Sequence, residues 1–525
     1  MIPTAKRPVS RPDYTGLLGV AAVLLVWELA GRALAGAYIL ATPLDVLAHI
    51  LQNAGLIGRA LRETLGNAAI GFAAGNAVAI LLASAALAWP RSEPVVSGLA
   101  LLVFCLPLVA TGPILRVLYG PGNGPQITLA ALAVYYTTFV PLLVGLRAAP
   151  AVWFDLVRSY GRGRIAELRF VRARASLPYL FAGLQIAAPA AFLGAMVGEF
   201  TGAERGMGVL TIRAMRALDV SAIWALASVA AAVSILAYAA VGLLARLTLT
   251  ESPPVILAPP PQPRLTGRHV PFGNAALVLL FALLIWWGAM EAFHLSAFFA
   301  KRPVDVWQAL VTAPDAAETR VRLAVALGET SVFLLPGVAA GLALGAGLAI
   351  ALMLAPALGA GATFVAVALR SVPIVATAPL VVLAFGRGAV GTITLVAVMV
   401  FFPTFVACRH GLRQAPGQVL DVFDSYAAGP VLRLWHVQIP AMLPAFFAAA
   451  RMSVPASVLA VTVVEWLATG RGIGSLMALS ASLSDYDLLW SSVVIVALLS
   501  VLGYAGIGVM ERRILAVYAA EQVTR

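Results

Sequence analysis

Long apolar runs constrain the fold of this 525-residue chain more than any other feature of its sequence. A helix of about 20 apolar residues crosses about 30 Å of hydrocarbon, and windows of that length recur along the whole chain. Because 61% of the residues are hydrophobic and only 11% are charged, a soluble core cannot cover this much apolar surface. The sequence predicts an all-α membrane protein with twelve transmembrane helices.

The predicted helices divide evenly between two halves of the chain. In the first half the windows are residues 14–33, 65–89, 95–117, 127–146, 179–199 and 222–247. In the second half they are residues 275–293, 330–354, 361–383, 390–408, 445–466 and 488–510. The first window is preceded by basic residues and ends near Ala33-Leu34-Ala35, as a signal peptide would. We expect it to be retained, because the second half has an equivalent helix with Trp287 in the place of Trp27.

An internal repeat relates the two halves. A shift of 266 residues aligns residues 63–246 with residues 329–512 without a gap. Glu63 and Thr64 are matched by Glu329 and Thr330 in this alignment. Upstream of the aligned block the shift is 260, so an insertion of six residues separates the two registers. Six predicted helices per half is an even number, which predicts two parallel repeats related by an axis along the membrane normal.

The domain boundaries and the topology follow from this repeat. We predict a first repeat at residues 1–249, a linker at residues 250–274 and a second repeat at residues 275–525. Six prolines between residues 253 and 263 predict a stiff, extended and solvated linker. With the amino terminus inside, about 21 Lys and Arg residues lie inside and about 13 outside, as the positive-inside rule requires. We expect both termini and the linker to lie in the cytoplasm.

Composition and motifs argue against several other functions. The net charge is +12, but the basic residues are thinly spread between apolar runs, so we expect membrane lipid and no nucleic acid as a partner. Cys105 and Cys408 fall in apolar segments, which argues against a disulfide framework or a metal site. The sequence has no Walker-type phosphate loop and no plausible catalytic set. We predict that the chain is not an enzyme and holds no metal or cofactor itself.

The loop between the fourth and fifth predicted helices carries a repeated pattern. The matched positions are Asp155, Ser159, Tyr160 and Gly161 in the first half and Asp421, Ser425, Tyr426 and Ala427 in the second. The sequence of each loop predicts a helix, a break and a second short helix that has one apolar face. That face consists of Ile165, Leu168 and Val171 in the first loop and of Val431, Leu434 and Val437 in the second.

These loops resemble those of the binding-protein-dependent transport permeases, the membrane subunits of type I ABC importers. The family loop carries the pattern E-A-A-x(3)-G-x(9)-I-x-L-P. The nitrate, sulfonate and taurine branch adds a proline-rich third helix and a glutamate followed by G-x-G after the fifth. Residues 107–113, 199–208, 373–379 and 465–474 fit that branch. The resemblance covers nearly all of both halves and implies two permease units fused in one chain.

The sequence departs from the family pattern at several positions of the loops. Asp155 and Asp421 replace the leading glutamate, and Ala427 replaces the glycine in the second half. The first half has Ala173-Arg174 where the family has Leu-Pro. These departures leave open whether the two loops bind a partner equally.

The resemblance implies a location in the bacterial inner (cytoplasmic) membrane and specific partners. They are two ATPase subunits, which would bind ATP and Mg²⁺, and a periplasmic or lipid-anchored substrate-binding protein. It implies that the short helices of the loops insert into grooves of the ATPase subunits. The expected apolar anchors are Ile165, Leu168, Val431 and Leu434, with Arg162, Arg164, Arg169 and Arg433 at the rim. The alternative is that these arginines only hold the loops at anionic lipid.

Polar and helix-breaking residues inside the apolar windows are candidates for a translocation path. The candidates are Arg370, Arg451, Glu199, Glu465, Pro107, Thr111, Pro373 and Thr377. The two arginines either attract an anionic substrate or snorkel to the cytoplasmic edge. The two glutamates either meet the binding protein or cap a helix end. The prolines and threonines break the third helices, and this break either frees carbonyl groups beside a cavity or serves packing alone.

The leading hypothesis is a fused permease that takes a small, polar or anionic solute from a binding protein and alternates access when two ATPase subunits close. The alternative is an ion-coupled secondary transporter with parallel six-helix repeats. That class favours carboxylates near the membrane midplane, whereas the acidic residues here lie mostly at predicted helix ends. Sulfonates, taurine, nitrate, a pyrimidine-like vitamin precursor, thiamine and ferric iron all remain open as substrates.

Overall fold

A computed structural model of the chain describes residues 14–37, 40–249, 270–355, 381, 385–386 and 388–518. Within these ranges all regular structure is helical, and no β-strand occurs in them. The prediction of an all-α protein is confirmed.

The helices of the first half follow the predicted windows, with additional short helices between them. They are α1 (Tyr14–Ala33), α2 (Pro43–Gln52), α3 (Ala54–Ala88), α4 (Glu93–Phe104), α5 (Leu108–Tyr119), α6 (Gly124–Gly145), α7 (Ala151–Ser159), α8 (Arg164–Phe200), α9 (Met207–Arg216) and α10 (Val220–Thr248). Helix α8 contains a π-helical turn at Glu167–Arg172.

The second half repeats this order as far as it is described. Its helices are α11 (Val270–Ala292), α12 (Pro303–Trp307), α13 (Ala316–Leu354), α14 (Ala389–Arg413), α15 (Gly417–Ser425), α16 (Pro430–Leu467), α17 (Gly472–Ser482) and α18 (Tyr486–Tyr518). Because α11 already begins at Val270, residues 270–274 of the predicted linker are helical. The rest of the predicted linker lies outside the described residues.

The described helices are those of a multi-pass membrane protein. Nine of them are long and apolar enough to cross a membrane, and counting the bent pair α4–α5 as one span gives ten. The first predicted window coincides with α1, a further apolar helix of 20 residues. The window at residues 361–383 lies almost entirely outside the described residues. The prediction of a membrane protein is therefore confirmed, and the number twelve stays a prediction.

The third predicted helix is broken. Helices α4 and α5 meet at an angle of 90° across residues 105–107. Pro107 precedes α5 with an extended backbone, at φ −71° and ψ 101°. Proline has no N–H to donate and disfavours helical geometry at the residue before it, so the helix ends at this point. The break redirects α5 into the space between the two halves.

Stripes of glycine allow two helix pairs to approach closely, one pair in each half. A methyl group at Gly71 of α3 would lie 2.4 Å from the Cβ of Ala130 in α6, and one at Gly75 would lie 2.6 Å from the Ala131 carbonyl oxygen. The repeat-related Gly341 of α13 faces the carbonyl oxygen of Ala397 in α14 at the same 2.6 Å. Lipid and leucine are equally apolar, so close packing of small residues is what holds such helices together.

The two halves share their core. Val109 of α5 packs with Val197 of α8 and with Val461 and Val464 of α16. On its other side, α5 inserts Ile114 into a cluster of second-half residues from α13, α17 and α18. Helix α11 of the second half packs on α4 of the first, where a methyl group at Gly98 would lie 2.5 Å from a methyl carbon of Val278. The halves therefore form one interlocked bundle.

Equivalent tryptophan pairs fix the register of the first helix in each half. Trp27 lies 5.4 Å from Trp224 and donates to the Ala41 carbonyl at 2.9 Å. In the second half Trp286 lies 5.4 Å from Trp490 and donates to the Lys301 carbonyl at 3.0 Å. The sequence-based pairing of Trp27 with Trp287 was therefore wrong by one residue. The connection from the tryptophan to its acceptor spans 14 residues in the first half and 15 in the second, which shifts the register.

Candidate functional site

Each half contains a sharp turn that joins a short helix to a long one. In the first half α7 ends at Ser159, the chain turns at Gly161 with φ +68°, and α8 follows. In the second half α15 ends at Ser425, the chain turns at Ala427 with φ +50°, and α16 follows. We call residues 151–174 the first elbow and residues 417–440 the second elbow.

The helix after each turn is not a separate element. The sequence predicted a second short helix in each loop, but this segment is the beginning of α8 or α16 and runs on into the membrane. Residues 164–177 and 431–439 contain neither proline nor glycine, so nothing ends the helix there. Each elbow is thus fixed directly to the end of a long membrane helix, and a displacement of the elbow moves that helix.

The two turns share the same hydrogen bonds. The N–H of Gly161 donates to the Arg158 carbonyl at 2.8 Å, and the N–H of Ala427 donates to the Asp424 carbonyl at 2.9 Å. The Ser159 hydroxyl donates to the carbonyl of residue 156 at 2.8 Å, and the Ser425 hydroxyl to that of residue 422 at 2.7 Å. These bonds explain the repeated serine as a turn-forming residue. The following Tyr160 and Tyr426 are both exposed.

An ion pair clamps each elbow, and its polarity is reversed between the halves. Arg158 donates from Nε to Oε1 of Glu167 at 2.8 Å across the first turn. At the repeat-related positions, Asp424 accepts from Arg433 across the second turn. The hydrogen bond to Glu167 holds the pKa of the Arg158 guanidinium above its usual value. The same contact is therefore preserved with its charges exchanged.

We expect exchange of these charges to be tolerated only when both residues change. Arg158→Glu or Glu167→Arg alone places two like charges across the first turn and should open it. The rate of chymotryptic cleavage after Tyr160 should rise about twofold to fivefold in each single variant. The double variant has the polarity of the second elbow and should return to the wild-type rate. Equal rates in all four proteins would contradict a role of this pair in closing the turn.

Most of the expected apolar anchors are exposed, but one is not. Ile165 is 83% exposed, and Leu168 and Val431 are also on the surface. Leu434 is only 2% exposed, because it packs against Phe405 and other residues of α14. The expectation that Leu434 is an exposed anchor is therefore wrong. Its neighbour Trp435 is exposed in its place.

Sequence reasoning missed further exposed apolar side chains on the elbows. They are Val152, Trp153, Leu156 and Phe170 on the first elbow and Val419, Val422, Leu432 and Trp435 on the second. The signal for several of them was present in the sequence, because α7 and α15 are short helices with apolar and polar faces. Exposed apolar side chains clustered on one loop indicate a surface that binds another molecule.

At the opposite end of α8 a buried carboxylate caps the next helix. Glu199 is 1% exposed and accepts at 2.7 Å from the Thr64 hydroxyl and at 2.7 Å from the N–H of Gly208. The same hydroxyl accepts at 2.9 Å from the N–H of Met207, the first residue of α9. These bonds satisfy the free N–H groups at the start of α9, where the helix dipole favours negative charge. We call Glu199, Thr64 and residues 206–208 the first Glu–Thr–Gly cluster.

The second half builds the equivalent cluster from Glu465, Thr330 and residues 472–474. Glu465 is 1% exposed and accepts from the Thr330 hydroxyl at 3.0 Å and from the N–H of Gly474 at 2.9 Å. The N–H of Ile473 donates to the Thr330 hydroxyl at 2.9 Å. In both halves the carboxylate faces the start of the following helix and not the surface, which is the geometry of a cap.

A glycine at positive φ makes room for each carboxylate. Gly206 has φ +129°, and a Cβ there would lie 2.2 Å from Cδ of Glu199. Gly472 has φ +84°, and a Cβ there would lie 2.1 Å from Oε1 of Glu465. The first glycine of each G-x-G is therefore required both for its backbone conformation and for its lack of a side chain.

The remaining candidates for a translocation path have different surroundings. Thr111 is buried, and its hydroxyl donates to the Leu108 carbonyl of its own helix at 2.9 Å. Pro107 lies at the break between α4 and α5. Arg370, Pro373 and Thr377 lie outside the described residues. Among the described residues, no group of His, Cys, Asp or Glu side chains has a geometry that could hold a metal ion.

Arg451 of α16 is paired inside the bundle. Its Nε lies 3.2 Å from Oε2 of Glu511 in α18, and its guanidinium lies 5.6 Å from the ring centre of Tyr504. The side chains of the pair are 13% and 6% exposed. Sequence reasoning missed Glu511, because this partner lies on a different helix and the first half has alanine at the matching position. The sequence left two roles open for Arg451, attraction of an anionic substrate and snorkelling to the cytoplasmic edge. The ion pair with Glu511 is a third role.

Known proteins with related sequences are transport permeases. A stretch of 138 residues is 33% identical to a probable ABC transporter permease protein of Haemophilus influenzae, and it covers 26% of this chain and 56% of that protein. The formylaminopyrimidine transport permease protein ThiX of Halalkalibacterium halodurans is 26% identical over 229 residues, which cover 43% of this chain and 91% of ThiX. The taurine transport system permease protein TauC of Escherichia coli is 24% identical over 253 residues, which cover 47% of this chain and 90% of TauC.

The family model described as "Binding-protein-dependent transport system inner membrane component" matches this chain twice. The matches cover residues 59–249 and 341–516, one in each half and together more than half of the chain. Each match includes an elbow and a Glu–Thr–Gly cluster or the larger part of one. The chain therefore belongs to the family of binding-protein-dependent transport system inner membrane components, and it joins two units of that family in one polypeptide.

Proposed function

We propose that this chain is the complete permease of an ATP-driven importer, which receives a small solute from a binding protein and releases it into the cytoplasm. Two separate ATPase subunits bind ATP and Mg²⁺ and dock on the two elbows. The observation that carries the proposal is the duplicated elbow, a rigid turn with exposed apolar side chains at the end of a long membrane helix. Family membership supplies the expectation that such partners exist.

The elbows have the properties that coupling to a motor requires. Each presents several exposed apolar side chains, which gain free energy when a partner covers them. Each is held in shape by the same turn hydrogen bonds and by an ion pair. Because the second arm of the elbow is the start of α8 or α16, closure of two ATPase subunits would be transmitted to these helices along a continuous helix.

The proposed orientation places the elbows and both termini in the cytoplasm. The Glu–Thr–Gly clusters then lie on the outer side, since Glu199 and Glu465 are near the other ends of the helices that begin at the elbows. There they hold α9 and α17 in a fixed position relative to α3 and α13. We propose that these two short helices form part of the surface that meets the binding protein.

The substrate class is proposed from the relatives alone. Their names specify formylaminopyrimidine transport for ThiX and taurine transport for TauC, and both are small polar molecules. We propose a small, polar or anionic solute for this chain. The rival function, ion-coupled secondary transport, requires no ATPase and no docking surface.

A reconstituted complex tests the proposal. Co-expression with its ATPase subunit should give a complex of one permease chain and two ATPase subunits. Leu168→Glu and Ile165→Glu each put a charge into a docking surface that we expect to be desolvated, so ATP-dependent uptake should fall at least about tenfold. The conservative variants Leu168→Ile and Ile165→Val are the matched controls and should transport normally. Uptake at full rate without nucleotide, or full activity of both glutamate variants, would contradict the proposal.

A further inference from the structure

The two elbows have one shape but different charge. Residues 151–174 contain six arginines and two carboxylates, whereas residues 417–440 contain one arginine, one histidine and two carboxylates. The turn hydrogen bonds and the exposed tyrosine are the same in both, and each turn is clamped by an ion pair, with reversed polarity. Charge is therefore the main property by which a partner that recognises this shape can distinguish the elbows.

Most of the positive charge on the first elbow is not neutralised within the described structure. Arg158 is paired with Glu167, and Arg172 lies 4.6 Å from the ring centre of Phe154. The other four arginines are exposed and form no ion pair with any described residue; they are Arg162, Arg164, Arg169 and Arg174. Arg162 and Arg169 lie 5.9 and 5.7 Å from the ring centre of Phe170. Cations and apolar side chains thus form one continuous surface.

The second elbow lacks such a rim. Its only arginine, Arg433, is the partner of Asp424 in the clamp. The other exposed side chains include the apolar Leu432 and Trp435, Tyr426, His436 and the carboxylate of Asp421.

We propose that the first elbow docks on its ATPase subunit through its arginines, against an acidic rim of the groove, whereas the second elbow docks chiefly through apolar contacts within the groove. This inference rests on the proposed function. Unpaired guanidinium groups lose their hydration when a partner covers them, and carboxylates on the partner are what offsets this loss. Salt should therefore weaken docking at the first elbow and leave docking at the second nearly unchanged.

Docking of an ATPase subunit explains the unequal charge of the two elbows better than attraction to a lipid surface does. Anionic headgroups attract basic side chains of any loop at the same depth, and the two elbows are related by the repeat. The second elbow nevertheless has one arginine where the first has six. A lipid surface also gives no reason for the shared backbone turn, whereas a groove that accepts an elbow does.

One reporter on each elbow measures the two docking events separately. Tyr160→Cys and Tyr426→Cys are repeat-related and exposed, whereas the native Cys105 and Cys408 are buried. Each variant is labelled with a charged environment-sensitive maleimide, placed in nanodiscs of phosphatidylcholine alone, and titrated with the ATPase subunit. When the salt concentration is raised from 50 to 300 mM, the ATPase concentration that gives half of the full response should rise about tenfold for the reporter at residue 160. For the reporter at residue 426 it should rise less than about twofold. Adding Arg162→Gln, Arg164→Gln, Arg169→Gln and Arg174→Gln together should abolish the salt effect at residue 160.

The possible results separate this inference from the proposed function. Equal salt dependence at the two reporters, or a salt effect that survives the fourfold variant, overturns the unequal docking alone. A salt effect that appears only after anionic phosphatidylglycerol is added assigns the arginines to lipid and also overturns it. No response of either reporter to the ATPase subunit at 50 mM salt overturns the proposed function itself.

Discussion

Arg451→Gln alone should destabilise the protein by about 3–5 kcal/mol, because it leaves the carboxylate of Glu511 buried without its cation. The double variant Arg451→Gln with Glu511→Ala should recover most of this loss. It reproduces the first half, which has Gln185 and Ala245 at the matching positions. The midpoint of thermal unfolding in detergent measures both effects.

The first half also shows why glutamine fits without the ion pair. Gln185 lies so close to Gly242 that a methyl group there would be 2.4 Å from its Nε2. The second half has Gly508 at the position of Gly242, so a glutamine at position 451 finds the same space. Glu511→Ala alone is the control and should also destabilise, because it leaves Arg451 unpaired. If the double variant is no more stable than Arg451→Gln, the pair is not the reason for the loss.

The same double variant tests the candidate translocation path. If Arg451 serves only to neutralise Glu511, a double variant of normal stability transports at the wild-type rate. If Arg451 also contacts an anionic substrate, the stable double variant loses transport.

Gly206→Ala and Gly472→Ala should be the most damaging small substitutions in the Glu–Thr–Gly clusters. Each puts a methyl group within 2.2 Å of a buried carboxylate at a positive φ that disfavours alanine. Gly202→Ala and Gly470→Ala are matched controls, because both glycines have positive φ but open space around them. The controls bear only the backbone strain, about 1–3 kcal/mol, and the cluster variants bear an additional steric cost of about 1–3 kcal/mol.

Thermal unfolding of the four glycine variants measures this difference. The two cluster variants should unfold at a lower temperature than their controls in both halves. Equal unfolding temperatures for Gly206→Ala and Gly202→Ala would show that the carboxylate does not occupy the space beside Gly206.

Sequence reasoning predicted local breaks and repeated elements well, because each has a local physical cause. Pro107 was expected to break the third helix, and the chain bends by 90° there. Glu199 was recognised as a repeated residue, but its contact with Thr64 was not predicted. These two residues are 135 positions apart, and no periodicity connects them.

The features that were missed depend on tertiary packing or on differences between the halves. Leu434 was assigned to an exposed face, but a short helix shows equally apolar positions on adjacent faces, and contact with Phe405 decides between them. Glu511 and the reversed ion pair of Asp424 and Arg433 escaped because the repeat was found by matching identical residues. A comparison that looks for exchanged charges at matched positions would have found the second of these.

The packing of α11 on α4 has a consequence for biosynthesis. A ribosome that has completed the first half leaves the face of α4 around Gly98 in contact with lipid, since Val278 has not yet been made. The first half therefore reaches its final packing only while the second is being inserted. The first half made alone would keep an unfilled groove along α4.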